Sequence, residues 1–221
     1  MNGPDVMKEL VLCFGNRCDT IMCWRRLQPI MPENIEIERR FLVDGRQQRV
    51  WIDESLERIE IRQWYLDSTQ LSFSENGAIS YGDELLVTGI DLTTIQSLDS
   101  YPNWTARIRT WNKTCFLTLK GLREGALATE YEWEIGREST DRIVESATYP
   151  YIEKNRYLWN GKDGLIWEID EFEGDLAGMI IAEVELEYVD SEIEVPSWAG
   201  MELTHLNGWS NAALARMLTQ K

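Results

Sequence analysis

Acidic and basic side chains alternate with apolar ones along several short segments of this chain. In "IEIERRFLV" (35–43), Glu36, Glu38 and Arg40 share one face, and Ile35, Ile37, Arg39 and Phe41 share the other. That is the period of two of an extended strand. The pattern recurs. "TARIRTW" sets Arg107 and Arg109 against Ile108, and "LTLKG" ends with Lys120 opposite Leu119. "TEYEWEI" groups Glu130, Glu132 and Glu134 against Tyr131, Trp133 and Ile135, while "EKNRYLW" offers Lys154 and Arg156 together. "IWEIDEF" pairs Glu168 with Asp170 against Trp167, Ile169 and Glu171. "IIAEVELEY" aligns Glu183, Glu185 and Glu187 against Val184, Leu186 and Tyr188.

A single strand of this kind is ordinarily a solvated sheet face. Seven such segments leave Trp- and Ile-rich faces that all need cover. A closed barrel meets both demands, with apolar faces packed outward under helices and loops and charges directed into a wet lumen. Charges inside a barrel are costly unless paired with each other, a metal or a ligand. A lumen of both signs suits a polyanion. Arg and Lys neutralise phosphate oxygens, Arg through bidentate forks, and clustered carboxylates hold hard divalent cations such as Mg²⁺ that bridge to phosphate. The residues therefore read as a metal-dependent phosphate-ester or phosphoanhydride site.

The elements that must position them are strands near 35–43, 57–66, 104–112, 114–120, 130–136, 151–159, 164–172 and 179–189, separated by Gly, Asn, Asp and Pro. "WNKTC" reads as a tight turn, as do "WNGKDG" and "EFEGDLAG". "GRESTDRIVESA" (136–147) and "GWSNAALARML" (208–218) read as helices, the second closing the chain behind a Ser/Asn start. Residues 67–103 form a long connection with one short hairpin near 77–88, either a lid over one mouth or a surface insertion. The expected fold is mainly β: a closed eight-stranded antiparallel barrel forming a charged tunnel, with flanking helices and a C-terminal helix.

The 221 residues divide into residues 1–33, expected to be a poorly ordered extension from a misassigned start ahead of Met31, and a tunnel domain over 34–221. A net charge of −16 argues against nucleic-acid coating. No apolar run reaches the length of a membrane span. Cys13, Cys18 and Cys23 match no zinc spacing, and reduced thiols with no secretory signal suggest the cytoplasm. The lone histidine, His205, disfavours Ser-His or Cys-His chemistry.

With these residues in view, the chain from Ile35 onward resembles the CYTH family, the triphosphate tunnel metalloenzymes. "EIERRFLV" is similar to the family's E-x-E-x-K signature. "QWYL", "ARIRTW", "LTLKG", "EYEWEI", "EKNRYL", "WEIDEF" and "AEVELE" follow in the family's order, and "WSNAALA" looks like its closing helix. The resemblance implies Mg²⁺- or Mn²⁺-dependent handling of a small triphosphate, most closely the hydrolysis of inorganic tripolyphosphate by bacterial short-chain members. It assigns Glu36, Glu38, Glu183, Glu185 and Asp170 to metal, and Arg107, Arg109, Lys120 and Arg156, with Lys154 beside them, to the triphosphate clamp. Glu132 looks like the acid that orients the bases, a role Glu130 could share. Glu36, Glu38 and Arg40 form the catalytic set: Glu36 or Glu38 takes a proton from the attacking water, and Arg40 neutralises charge. Arg40 stands where the family has Lys, which bears on rate or specificity. Alternatives are an organic triphosphatase, a class IV-type adenylyl cyclase, or a non-catalytic polyphosphate-binding module. Most of the ten tryptophans lie opposite the charges; Trp111, in phase with Arg109, is positioned to touch a substrate.

Overall fold

The computed structural model describes residues 6–14, 17–25, 34–46 and 48–219. They form two units, divided after Glu33. In the first, strands β1 (Val6–Phe14) and β2 (Arg17–Arg25) pair antiparallel as a hairpin. The expectation of a poorly ordered leader covers residues 1–33, of which 1–5, 15–16 and 26–33 lie outside the described residues.

The second unit contains β3 (Ile35–Val43), α1 (Trp51–Glu54), β4 (Glu57–Tyr65), β5 (Leu71–Ser74), β6 (Ala78–Tyr81), β7 (Glu84–Val87) and α2 (Leu92–Ser100). There follow β8 (Thr105–Trp111), β9 (Thr114–Lys120), β10 (Leu127–Ile135), α3 (Arg137–Ser146), β11 (Tyr151–Asn160), β12 (Ile166–Phe172), β13 (Ile180–Glu185), β14 (Ala199–Glu202) and α4 (Asn211–Leu218). The large sheet runs β10-β9-β8-β4-β11-β12-β13-β3, and β10 pairs back onto β3, closing an eight-stranded antiparallel barrel. Where β10 leaves β3, β14 takes over its free edge.

Residues directly opposite each other in an antiparallel pair point to the same side of the sheet, so the register sorts the two faces. Arg107 faces Thr118, which faces Glu132; Arg156 faces Asp170; Arg40 faces Glu183; Glu38 faces Glu185. These side chains line the lumen. The outer face holds Ile37, Phe41, Trp167, Ile169, Ala182 and Val184, packed with Trp51 of α1 and Trp198. Burial of such aromatic and branched side chains is the main stabilising term of the wall.

The connection between β4 and β8 is a surface layer. Its three-stranded sheet and α2 place Ile79, Tyr81, Leu86, Ile95 and Leu98 against Ala106, Ile108, Leu117 and Leu119 on the outer face of β8 and β9. α2 begins at Asp91, whose carboxylate accepts from Thr94 N at 2.9 Å, a regular N-cap. The insertion's apolar side is thus used on the wall, so the lid alternative gives way to the surface insertion. In "WNKTC", Asn112 turns β8 into β9 at φ 52° and accepts from Glu60 N at 3.1 Å. Asparagine tolerates that left-handed backbone better than most residues.

At one end of the barrel the lumen face changes from charged to apolar. Leu42, Tyr65, Ile152, Phe172 and Ile181 meet Leu203 and the α4 residues Leu214, Ala215 and Leu218. The helix starts at Ser210, whose hydroxyl accepts from Ala213 N at 3.2 Å, and its apolar stripe lies across this layer. α4 therefore acts as a plug beneath the charged part of the lumen.

Candidate active site

β3, β12 and β13 are barrel neighbours and carry Glu36, Glu38, Asp170, Glu183 and Glu185; β8, β9 and β11 carry Arg107, Arg109, Lys120, Lys154 and Arg156. Arg40 is nearly buried and bridges two acids. Its Nε donates to Glu183 Oε1 at 2.7 Å and its Nη2 to Glu38 Oε1 at 2.6 Å. Thr204 Oγ1 accepts from its backbone N–H at 3.1 Å. Burial works against the Arg40 charge, but Glu183 and Glu38 outweigh it and hold the guanidinium above its usual value. Burial likewise opposes the Glu183 carboxylate, and Arg40, Lys154 and Arg156 draw it well below the usual carboxylate range.

Asp170 anchors the bases of β11. It accepts from Arg156 Nε and Nη2, both at 2.7 Å, and from Lys154 Nζ. Arg156 also reaches Glu183 at 3.1 Å and pairs with Glu168. Burial pulls the Lys154 ammonium down to about 8 despite Asp170. On the opposite wall, Glu132 accepts from Arg109 Nη2 at 2.8 Å on both oxygens, and from Thr118 Oγ1 at 2.6 Å. Glu130 lies 2.8 Å from Lys120 Nζ and 3.6 Å from Arg107. Burial pushes Glu130 up, but Lys120 and Arg107 bring it down to about 2. The two acids divide the orienting role: Glu132 holds Arg109, and Glu130 holds Lys120.

Two features mark the basic wall as incomplete by itself. The Nε donors of Arg107 and Arg109 are buried without an acceptor. Burial and the nearby Arg107 also push the Arg109 guanidinium below its usual value. A buried donor left unmade costs about 1–3 kcal/mol, and more on a charged group, so this wall is suited to an anion.

On the acid side, burial holds the Glu36 carboxyl well above its usual range, with Lys120 opposing at 2.6 Å and Glu38 and Glu130 reinforcing. Glu185 has no ion pair among the described residues. Partial burial, then Glu168, Glu38 and Glu130, raise its carboxyl, although the residue remains open to solvent. Among the described residues no ready-made cage of three or more acidic, His or Cys side chains is assembled; the acids face side-chain cations. The donor set is all carboxylate oxygen and includes the uncompensated Glu185, so it fits a hard divalent cation.

The structure thus brings these candidate residues to one lumen: Glu36, Glu38, Arg40, Arg107, Arg109, Lys120, Glu132, Lys154, Arg156, Asp170, Glu183 and Glu185. Glu187 does not join them, because β13 ends at Glu185. Sequence reasoning missed Arg123, in the β9–β10 connection, whose Nη2 is 2.6 Å from Glu38 Oε1. No period exists in a loop to reveal its direction. It also missed Gln63 and Tyr65 of β4, which face Arg109 and Arg107. There the Gln63 amide donates to the Tyr65 hydroxyl at 2.8 Å. Trp111 faces the lumen as expected, with the Arg109 guanidinium 5.4 Å above its ring and 5.8 Å from the Phe116 ring.

An inorganic triphosphatase of Acetivibrio thermocellus is 37% identical to this chain over 111 residues, 50% of this chain and 70% of that protein. One from Nitrosomonas europaea is 33% identical over 112 residues, 49% of this chain and 73% of that protein. A crystal structure of an inorganic triphosphatase superposes with a TM-score of 0.51 at 26% identity, covering 81% of this chain and 97% of that one. No protein-family model matches the chain.

Proposed function

The chain belongs to the CYTH family of triphosphate tunnel enzymes, and on that premise we propose that it hydrolyses inorganic tripolyphosphate to pyrophosphate and phosphate with a divalent metal. The observation that carries this reading is the pair of buried guanidinium Nε donors, on Arg107 and Arg109, that lack acceptors in a lumen otherwise dense with ion pairs. Phosphoryl transfer depends on positioning and on neutralising charge rather than on covalent chemistry.

Arg107, Arg109, Lys120, Lys154 and Arg156 bind the triphosphate oxygens. Glu132, Glu130 and Asp170 keep those bases extended into the lumen. Mg²⁺ or Mn²⁺, held by Glu36, Glu38, Glu183, Glu185 and Asp170, would supply charge neutralisation and water acidification there. Glu36 or Glu38 accepts a proton from the attacking water. Arg40 neutralises charge between Glu38 and Glu183. The rings of Trp111 and Phe116 both lie against Arg109, so they serve the clamp rather than a nucleobase.

The test is to incubate the purified chain with tripolyphosphate, thiamine triphosphate or ATP, with Mg²⁺, Mn²⁺ or chelator, and to identify the products. Tripolyphosphate cleavage dependent on metal and abolished by chelator is expected. Preferential turnover of an organic triphosphate, or binding of tripolyphosphate without turnover, would overturn the reading.

A further inference from the structure

Arg123 is a lumen cation that no strand supplies. It sits in the connection between Lys120 and Leu127, where Gly125 takes φ +63°. Its Nη1 donates to the Ala126 carbonyl at 3.3 Å. Its Nη2 lies 2.6 Å from Glu38 Oε1 and 3.6 Å from Glu36 Oε2. That same Glu38 oxygen receives Arg40 Nη2 at 2.6 Å. The acid pair assigned to the metal is therefore already charge-matched by the protein's own side chains.

The cations around this pair differ in how firmly they are held. Arg40 is fixed in the middle of β3, with its Nε on Glu183. Lys120 ends β9 and bridges Glu36 and Glu130. Arg123 hangs from a loop, and apart from the two acids its side chain has one carbonyl as a partner. It can withdraw by rotation about its own side-chain bonds, with no strand displaced.

We propose that Arg123 is a displaceable counter-cation: it holds Glu36 and Glu38 together when no divalent ion is bound, and it gives them up when the ion arrives. This rests on the reading that Glu36 and Glu38 bind metal. Arg123 is then a positioning residue that sets the metal concentration at which the site fills. Glu38 Oε1 already carries Arg40 and Arg123 at 2.6 Å each, so a divalent ion arriving there meets strong repulsion from both; metal entry and the departure of Arg123, the one held from a loop, are one exchange.

The experiment is calorimetric titration of Mg²⁺ into the substrate-free protein, for wild type, Arg123→Gln and Arg123→Lys, with guanidinium ¹⁵N resonances followed in the wild type. Arg123→Gln is expected to bind Mg²⁺ about tenfold more tightly. Arg123→Lys should stay near wild type because it retains the competing charge. The wild-type Arg123 Nε–H signal should change from ordered to mobile as Mg²⁺ saturates. Unchanged or weaker binding by Arg123→Gln, or a wild-type Arg123 signal that Mg²⁺ does not move, overturns the exchange. If the wild type binds no Mg²⁺ at all, the metal assignment of the preceding section falls with it; if it binds Mg²⁺ and Arg123→Gln binds equally, this inference alone fails.

Discussion

Removing the Arg40 guanidinium tests the lumen most directly. Arg40→Ala leaves two buried carboxylates short of a partner, Glu183 at 2.7 Å and Glu38 at 2.6 Å. Breaking a buried pair from one side costs about 3–5 kcal/mol. Here each acid keeps a second base: Glu183 has Arg156 at 3.1 Å, and Glu38 has Arg123 at 2.6 Å. The expected cost is therefore at the low end, about 3 kcal/mol, which corresponds to a fall in Tm of roughly 6–12 °C for a domain of this size. Arg40→Lys keeps the charge but cannot reproduce the two-nitrogen bridge, so its loss should be about 1 kcal/mol. Turnover should follow the charge: Lys near or above wild type, Ala lower by roughly one to two orders of magnitude. Urea titration of metal-free protein gives the stabilities, and phosphate release gives the rates. If the Ala and Lys variants are equally stable and equally active, the Arg40 bridge contributes neither to the fold nor to the chemistry, and the reasoning fails.

Glu36→Gln and Glu38→Gln should both abolish turnover yet move metal-free stability in opposite directions. Glu36 carries a charge that burial penalises, so its loss should stabilise by about 1 kcal/mol; Glu38 holds Arg40 and Arg123, so its loss should destabilise, and equal shifts of one sign in denaturant midpoint would refute this. Replacing Arg107 and Arg109 singly by Ala should reduce kcat/KM by roughly one to two orders of magnitude each; wild-type kinetics would place them outside the clamp. Glu130 is held down to about 2 from an ordinary 4.5, so it contributes stability that is present above about pH 4.5 and lost as pH falls toward 2. By linkage this amounts to roughly 3 kcal/mol. The stability gap between wild type and Glu130→Gln, measured by denaturant titration across pH, should close on the acid side and stay constant above pH 5; a gap that grows on acidification contradicts the sign.

The sequence showed most of the barrel because its strands alternate cleanly. β3 matches its expected bounds, and β8 to β13 begin or end within a few residues of theirs. β13 stops early at Glu185, so Glu187 lies outside the strand. β4 was visible as a strand but its inner face was not. Ile59, Ile61, Gln63 and Tyr65 point inward while Arg58, Glu60 and Arg62 point outward, the reverse of its neighbours. Only the register with β8 and β11 reveals that inversion. α1, β5 and β14 are four residues each, and their signals, with that of α2, were lost among polar connecting residues. Arg123 was invisible for a different reason: a loop side chain's target depends on tertiary approach, which no local period encodes.

The apolar layer under α4 makes the barrel a cup. Moving anything through that end would require lifting Leu214, Ala215 and Leu218 off Phe172 and Ile181, which exposes apolar surface to water. A polyphosphate taken by such a cup is gripped by its terminus, and its length beyond the charged layer stays outside. On the proposed reading, the products leave by the route the substrate used, past Arg107 and Arg109. A single mouth for entry and exit is thus a property of the shape, set by the helix that lies across the far end.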